Sequence, residues 1–286
     1  MNDDYQITFA VGITTAPRQN HTLLRTLKTL RRSGFATREL TVFAEPGSLP
    51  TPSSLPRIDR PRRFGAWHNW KTALEELLSS NPDASAIMLV QDDTVFCKGL
   101  RPFLDRVLWP TANTGLVSLY TPTHYSQVFC AVDGAGKIVH SDQNPNRVKV
   151  LAVRRKLSFV RQGRPSGFVQ IHTHNMYGAC ALIFPRTVAE QILAHRFVQT
   201  WRGVSLGRPY KRQPFEVANI DTCIGQTMMD MRRECRFAVP SLAQHVAEVS
   251  SIGHSGLTEK RCACDFVGED FDASENLSDW STGVLL

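Results

Sequence analysis

Long hydrophobic runs are missing from this sequence: no apolar stretch reaches the roughly 18 residues that a membrane-spanning helix needs. The first residues, Met1–Tyr5, are acidic and lack the basic and apolar regions of a secretory signal peptide. The seven cysteines are odd in number and scattered, which does not fit the disulfide framework of a small secreted domain. We therefore expect a cytoplasmic protein without such a framework.

The motifs of several enzyme classes are also missing. Residues Asp133–Lys137 resemble part of a phosphate-binding P-loop but lack its distal glycine and the Ser or Thr after the lysine. No G-x-G-x-x-G motif for a dinucleotide occurs, and no H-E-x-x-H motif of a zinc protease. The pair Cys262 and Cys264, with His254 nearby, does not have the spacing that is typical of structural zinc.

The composition is that of an ordinary globular protein. The 286 residues are 42% hydrophobic and 21% charged, which is sufficient for a large buried core. We predict a single domain over residues 1–255, divided into the halves 1–95 and 96–255. From residue 256 onward the sequence is polar and increasingly acidic, and we expect residues 256–286 to form a C-terminal surface tail.

The charge is unevenly distributed along the chain. The formal net charge is +7, yet residues 143–215 contain thirteen basic residues and one acid, Glu190, so that this segment carries +12 and the rest carries −5. A segment of one sign attracts polyanions, but it can also be a solvated basic surface. Aromatic residues are interleaved with its arginines, and they either stack on bases or belong to the core. A phosphate-rich partner is thus one of two open interpretations.

The first 95 residues alternate between strand and helix patterns. Apolar runs predict strands, and leucines and tryptophans at helical spacing predict helices. The predicted order is strand Ile7–Ile13, a helix that ends at Gly34, strand Leu40–Ala44, helix Gly65–Ser80 and strand Ala86–Val90. This order predicts an α/β fold of the Rossmann type, with a mixed, mainly parallel sheet flanked by helices.

The second half predicts further strands and helices. The predicted strands are Gly115–Tyr120, Gly167–Ile171 and Ala179–Phe184, with a hairpin formed by Val128–Val132 and Ile138–Val139. The predicted helices are Thr187–His195 and Val217–Glu234.

Polar residues follow each of the first three predicted strands: Thr14–Arg18, Glu45, and the pair Asp92 and Asp93. Parallel sheets bind ligands at the carboxyl ends of their strands, so these residues mark a candidate site. Two adjacent carboxylates at the tip of a buried strand are costly without a cation, and they suit Mg²⁺ or Mn²⁺ shared with a diphosphate. The alternative is that they cap the helix beginning near Leu100.

Asp221 and His245 are the other candidates for chemistry. Asp221 lies in the first turn of a predicted helix, where it either stabilises the helix dipole or acts as a general base. His245 and His254 lie within ten residues of each other, with Ser250 and Ser251 between them. They are either structural histidines or ligands of a metal or phosphate.

Taken together, the motifs of this sequence resemble those of a known protein family. In order, they are T-T-A-P-R, V-F-A-E, G-A-W-H-N-W-K-T-A-L, L-V-Q-D-D-T-V-F-C-K-G-L, Y-G-A-C-A-L-I-F-P, N-I-D-T-C-I-G and P-S-L-A-Q-H. The series resembles nucleotide-sugar glycosyltransferases of the GT-A fold over residues 6 to about 270. Its ordering is similar to the N-acetylglucosaminyltransferase IV-like group and its bacterial and phage relatives.

The resemblance implies a role for each matching residue. Residues 1–95 become a nucleotide-binding half and residues 96–255 an acceptor half. The residues implied to bind the donor are Thr14, Thr15 and Arg18 at the nucleotide and diphosphate, Glu45 at the base or ribose, Asn69 beside the pocket, and Asp92 near the ribose or sugar. The implied metal ligands are Asp93 and His245, and the implied acceptor side is formed by Tyr177, Gly178, Ala179 and neighbouring residues.

Asp221 matches the position of the base in inverting enzymes.

One departure from the family pattern is Gln91, which stands where the family has the first acid of E-D-D. The resemblance thus implies a glycosyltransferase that uses Mn²⁺ or Mg²⁺ and a nucleotide sugar, with a UDP-sugar as the favoured donor, in the cytoplasm of a bacterium or a phage-infected host.

The basic segment favours a polyanionic acceptor, for which hydroxymethylated phage DNA and a phosphate-rich bacterial glycan are two candidates. Two other classes remain as alternatives. One is a non-catalytic polyanion-binding module on a decayed transferase fold. The other is a nucleotidyltransferase, which shares the sheet and the metal carboxylates.

Overall fold

The computed structural model describes residues 7–122, 166–171, 176–201, 219–246, 262–263 and 265–285. Within them, nine strands form one sheet and two short strands form a second. The strands of the large sheet are β1 (Phe9–Thr15), β2 (Leu40–Ala44), β3 (Arg57–Asp59), β4 (Ala86–Gln91), β6 (Thr114–Ser118), β7 (Gly167–Ile171), β8 (Ala181–Pro185), β9 (Glu234–Val239) and β11 (Ser281–Leu285). The second sheet pairs β5 (Thr94–Phe96) with β10 (Ala243–His245).

The large sheet is mixed and mainly parallel, as predicted. Its order is β11-β7-β9-β6-β8-β4-β1-β2-β3. The four strands from β3 to β4 are mutually parallel, whereas β8 runs antiparallel between β4 and β6. Beyond β6, strand β9 is parallel to it, β7 is antiparallel to β9, and β11 is parallel to β7.

Helices cover both faces of this sheet. They are α1 (Leu23–Arg32), α2 (Gly65–Ser80), α3 (Leu100–Val107), α4 (Arg186–Ala194), α5 (Arg196–Thr200), α6 (Ile220–Asp230) and α7 (Ala273–Asn276). Strand β4 shows why the core has two layers. Met88 and Val90 belong to one buried cluster and Ile87 and Leu89 to the other, so that the strand is buried on both faces, as its unbroken apolar run predicts.

Helix α2 packs against the sheet through its predicted apolar face, which is formed by Trp67, Trp70, Leu74, Leu77 and Leu78. Gly12 on β1 permits this close packing, because a Cβ at this position would lie 2.7 Å from Leu77 and 2.8 Å from Leu89. The last turns of α2 therefore pack directly against β1.

One predicted helix boundary is wrong. The helix predicted to run to Glu234 ends at Asp230, and Glu234 instead begins β9. A turn separates the two elements, with Arg232 at a positive φ of 54°, and the apolar residues that follow complete the sheet between β6 and β7.

Residues 265–285 do not form the expected surface tail. Strand β11 extends the large sheet beside β7, and the buried indole of Trp280 packs edge-on against Phe103 and Phe168, with ring centroids 5.1 Å apart in both pairs. The acidic composition of this segment obscured its apolar anchors, which are Ala273, Leu277 and Trp280.

Several predictions fall outside the described residues. These are the hairpin of residues 128–139, the serines and histidine at 250–254, Cys264 and most of the basic segment. Among the helices that are described, none is both long and apolar enough to cross a membrane.

Candidate functional site

The carboxyl ends of β1, β2 and β4 lie side by side. The strand register pairs Thr14 with Gln91 and Thr15 with Ala44. Each strand therefore ends at the same edge of the sheet, and the polar residues that follow the three strands meet there, as the sequence predicts. Direct hydrogen bonds tie them together, since Asp92 N donates to Thr14 O at 3.1 Å and Glu45 N donates to Thr15 O at 3.0 Å.

Arg18 bridges the two adjacent carboxylates. Its Nη2 lies 2.7 Å from Asp92 Oδ1, and its Nη1 lies 2.9 Å from Asp93 Oδ2. Both aspartates are almost fully buried, with 2% and 3% of their surface exposed. The Thr15 hydroxyl donates a further hydrogen bond of 2.5 Å to Asp92 Oδ2. The pair thus does not cap the helix that follows, whose N-cap position is Gly99.

His245 reaches this site through the small sheet. The antiparallel pairing of β5 and β10 places His245 opposite Thr94, and Val246 N donates to Asp93 O at 2.8 Å. The His245 imidazole is largely buried, and its Nε2 lies 3.1 Å from Asp93 Oδ2. A residue that is distant in the chain is thereby brought against the carboxylate that follows β4.

The electrostatics differ between the two aspartates. Burial raises the pKa of Asp92 even though Arg18 opposes this shift. Burial alone would also raise the pKa of Asp93, but its hydrogen bond with His245 and the charges of His245 and Arg18 outweigh it and hold the pKa below its usual range. For Arg18, the two carboxylates outweigh burial and raise the pKa of the guanidinium.

The chemistry of Asp93 and His245 fits a divalent cation. Asp93 Oδ1 is buried, and within the described residues no hydrogen-bond partner reaches it. His245 Nε2 lies 3.1 Å from Asp93 Oδ2, so that an imidazole and a carboxylate, both common ligands of divalent metals, lie side by side. No group of three or more His, Cys, Asp or Glu residues suited to a metal occurs in the described part of the chain. Two protein ligands are typical of ions that share a substrate phosphate and retain water.

Asp221 lies at the start of α6 beside the loop that precedes β8. Its carboxylate accepts hydrogen bonds from Gly178 N at 3.1 Å and from Thr222 N at 2.9 Å. Burial raises the pKa of Asp221, and these backbone hydrogen bonds only partly oppose the shift. A raised pKa brings a carboxyl group closer to the range in which a general base operates.

The loop before β8 connects Asp221 with the end of β4. Cys180 O accepts hydrogen bonds from Gln91 N at 2.9 Å and from the Thr94 hydroxyl at 3.2 Å. Gly178 has a φ of 87° and lies against the ring of Tyr120, where a Cβ would be 2.8 Å away, so that glycine is required there. The loop and the Asp92–Asp93 pair therefore share one edge of the sheet.

The two other residues predicted on the acceptor side differ in exposure. Ala179 is buried, whereas 43% of the Tyr177 surface is exposed. Tyr177 thus presents an aromatic surface beside the Gly178 amide that binds Asp221. Its role toward an acceptor stays a prediction.

Glu45 and Asn69 are engaged within the protein. The Glu45 carboxylate accepts hydrogen bonds of 2.9–3.0 Å from the backbone amides of Phe64 and Gly65, at the start of α2. Asn69 accepts a hydrogen bond of 2.7 Å from Arg60 Nε and donates one of 3.2 Å to Phe43 O. These contacts fix α2 at the edge of the site, and the implied contacts of Glu45 and Asn69 with a nucleotide stay predictions.

Sequence reasoning missed several residues that support the site. The Thr26 hydroxyl on α1 donates to Asp92 O at 2.8 Å. The buried side chain of Arg60 joins Asn69 to Glu76 and lies over the Phe43 ring. No local pattern marks these two residues. Gln244, whose side chain binds Ala263 and the His245 amide, does lie inside the P-S-L-A-Q-H motif, directly before His245.

No protein-family model matches this sequence, and no curated protein matches it either. Solved structures are similar in part. The mannosyltransferase PcManGT from Pyrobaculum calidifontis, in complex with GDP-Man and Mn²⁺, is 12% identical with a TM-score of 0.42, and the match covers 80% of this chain and 54% of that chain.

S. aureus TarS is 14% identical with a TM-score of 0.29 over 39% of this chain and 21% of that one. TarS 1–349 in complex with UDP-GlcNAc is 13% identical with a TM-score of 0.28, over 39% of this chain and 33% of that one. This chain thus spans about half of the mannosyltransferase and a third or less of TarS. The resemblance to the N-acetylglucosaminyltransferase IV-like group stays a prediction, and the function rests on the chemistry of the site.

Proposed function

We propose that the protein is a metal-dependent glycosyltransferase that moves a sugar from a nucleoside-diphosphate donor to an acceptor hydroxyl. The observation that carries this proposal is the contact between Asp93 and His245 at the carboxyl edge of the parallel strands, with Arg18 beside them. This edge is where α/β sheets bind nucleotides. A carboxylate, an imidazole and a guanidinium together suit a diphosphate and its counter-ion.

On the donor side, the Arg18 guanidinium and the Thr14 and Thr15 hydroxyls bind the diphosphate. Asp93 and His245 hold the divalent cation. A carboxylate and an imidazole favour Mn²⁺ or Mg²⁺ in this place. When bound, the cation supplies positive charge that stabilises the departing nucleoside diphosphate. A UDP-sugar is the donor that we propose.

On the acceptor side, Asp221 is the general base. Its carboxylate takes the proton of the acceptor hydroxyl, whose oxygen forms the new bond to the anomeric carbon. The bond from that carbon to the diphosphate oxygen breaks, and its electron pair leaves with the diphosphate. The backbone amides of Gly178 and Thr222 orient the carboxylate during this step. Attack from the face opposite the leaving group inverts the anomeric configuration.

The acceptor that we propose is polyanionic. Residues 143–215 carry a net charge of +12. They lie in the same half of the chain, residues 96–255, as Asp221 and the other residues proposed on the acceptor side. A hydroxymethylated base in DNA is one such acceptor, and an enzyme acting on it has to turn the base out of the duplex at a cost of a few kcal/mol. A phosphate-rich glycan is the other, and it needs no such step.

The test is a panel of donors with Mn²⁺, including UDP- and GDP-sugars, scored for the nucleoside diphosphate released with hydroxymethylated DNA or glycan acceptors. We expect one donor to be used and release to fall to the level measured with EDTA in the Asp93→Asn variant. The matched control is Asp83→Asn, which alters an exposed aspartate before β4. Release that is the same in Asp93→Asn as in the wild type would contradict the proposal.

The same panel separates the two alternatives. A nucleotidyltransferase releases pyrophosphate from a nucleoside triphosphate and leaves nucleotide sugars intact. A non-catalytic module turns over no donor, and its binding to a polyanion survives Asp93→Ala. Either result would replace the proposed activity.

A further inference from the structure

Arg18 contacts Asp93, the carboxylate that we assign to the divalent cation, at the oxygen that also faces His245. Asp93 Oδ2 lies 2.9 Å from Arg18 Nη1 and 3.1 Å from His245 Nε2. The other arm of the guanidinium holds Asp92 at 2.7 Å. Arg18 therefore neutralises both buried aspartates at once, which is the task that a divalent cation has at this place.

Arg18 and a divalent cation repel each other if both lie against Asp93. The aspartates are 2% and 3% exposed, so water screens this repulsion poorly. A cation held jointly by Asp93 and His245 would lie close to the guanidinium, because Arg18 and His245 contact the same oxygen of Asp93. The guanidinium therefore has to move before the cation binds well.

The bound diphosphate offers Arg18 another partner. A guanidinium matches the paired oxygens of a phosphate as well as it matches carboxylates. Arg18 lies in the segment between β1 and α1, outside both elements, and 13% of its side chain is exposed. Its Nε is buried and has no hydrogen-bond partner among the residues that the structure describes. The present arrangement thus leaves one donor of the guanidinium unsatisfied, and Arg18 is not part of a strand or a helix.

We propose that Arg18 is a positioning residue that exchanges with the divalent cation on Asp93. The donor diphosphate draws the guanidinium away from Asp92 and Asp93, and the cation replaces it. Without a nucleotide, Arg18 weakens the binding of the cation. With a nucleotide present, Arg18 makes the binding of the cation depend on the binding of the nucleotide. This inference rests on the proposed function, because it takes the cation and the diphosphate from there.

The experiment measures Mn²⁺ binding to the full-length protein by the electron paramagnetic resonance signal of free Mn²⁺, with and without UDP or GDP. For the wild type, we expect the nucleotide to tighten Mn²⁺ binding about tenfold, and Mn²⁺ to tighten nucleotide binding by the same factor. For Arg18→Ala, we expect Mn²⁺ to bind about tenfold tighter than to the wild type without nucleotide, and the tightening by nucleotide to be smaller than in the wild type.

Two further variants serve as controls. Arg18→Gln removes the charge but keeps a polar side chain, and it is expected to behave like Arg18→Ala. It also replaces that variant in the test if Arg18→Ala fails to fold. Arg62→Ala removes the same charge from an exposed arginine just before α2, and it is expected to bind Mn²⁺ like the wild type.

The outcomes distinguish this inference from the proposed function. Mn²⁺ affinity that is unchanged or lower in the Arg18 variants overturns the exchange, even if the wild type releases nucleoside diphosphate from a donor. Equal Mn²⁺ affinity of the wild type with and without nucleotide also overturns it. Failure of the proposed function is a different result: the wild type then turns over no donor in the panel, whatever its affinity for Mn²⁺.

Discussion

The side chain of Gln244 binds both main-chain polar groups of Ala263. Its Nε2 donates to Ala263 O at 3.0 Å, and its Oε1 accepts from Ala263 N at 2.7 Å. The same Oε1 also accepts from His245 N at 3.1 Å. This amide group therefore connects a residue of the C-terminal part of the chain to the backbone of the histidine that contacts Asp93.

This contact predicts that Gln244 positions His245 for the cation. We expect Gln244→Ala to lower the affinity for Mn²⁺ about tenfold to 100-fold, which is the effect typical of groups that orient metal ligands. The measurement is a Mn²⁺ titration of the full-length protein in the presence of UDP or GDP.

Arg32→Ala is the control, because it removes another attachment of the C-terminal segment, the ion pair with Asp270, away from the site. It should leave Mn²⁺ affinity unchanged. If Gln244→Ala lowers the melting temperature without changing Mn²⁺ affinity, Gln244 has a structural role only.

Trp280 is predicted to be essential for stability. Its indole fills the space between Phe103 and Phe168, and truncation of a buried Trp to Ala typically costs about 3–5 kcal/mol. We expect a loss of this size for Trp280→Ala in the free energy of unfolding by urea. Leu24→Ala, at a leucine that is 55% exposed, should cost less than about 1 kcal/mol. Similar small losses in both variants would mean that the C-terminal segment is not part of the core.

Asp221 is predicted to control the acid limb of the pH profile. A general base acts when it is deprotonated, so kcat/KM should rise as the pH passes through the pKa of Asp221, which burial raises above the usual value for aspartate. The same shift means that the folded protein binds this proton more tightly than the unfolded chain. The contribution of Asp221 to stability is therefore present at low pH and is lost as the pH rises from the usual value to the raised one.

Asp221→Asn should lower kcat by about 10²–10⁴-fold while leaving donor affinity unchanged. The variant Thr222→Ala keeps the carboxylate and the backbone amide that binds it, and it is the matched control. The anomeric configuration of the product gives an independent check by NMR. Retention of configuration would remove Asp221 from the role of base.

The basic segment predicts that acceptor binding depends strongly on salt. Each phosphate contact releases counter-ions, so six or more contacts should weaken binding to a DNA acceptor by about 10³-fold or more between about 50 and 200 mM salt. The measurement is fluorescence anisotropy of labelled hydroxymethylated DNA. Affinity that does not change over this range would exclude a polyanionic acceptor held through phosphates.

Much of the fold of residues 1–95 could be predicted from local patterns. The apolar run before Asp92, the leucines of α1 and the tryptophans of α2 each indicate an element through their own periodicity. The topology of consecutive parallel strands then requires their carboxyl ends to meet, which places Thr14, Glu45 and Asp92 at one edge. The acidic composition after residue 256 misled the prediction there, because average polarity does not show single buried anchors such as Trp280.

The sequence by itself determined the alternation of strands and helices over residues 1–95 and the edge at which a ligand can bind, because periodicity and turn residues act over a few positions. Only the tertiary structure decided that Arg18 bridges Asp92 and Asp93 and that His245 contacts Asp93. These contacts join residues that are distant in the chain, and they depend on which strands pair and which charges are buried together. Neither property is encoded in a local pattern, since burial and charge compensation arise only when the whole core is assembled.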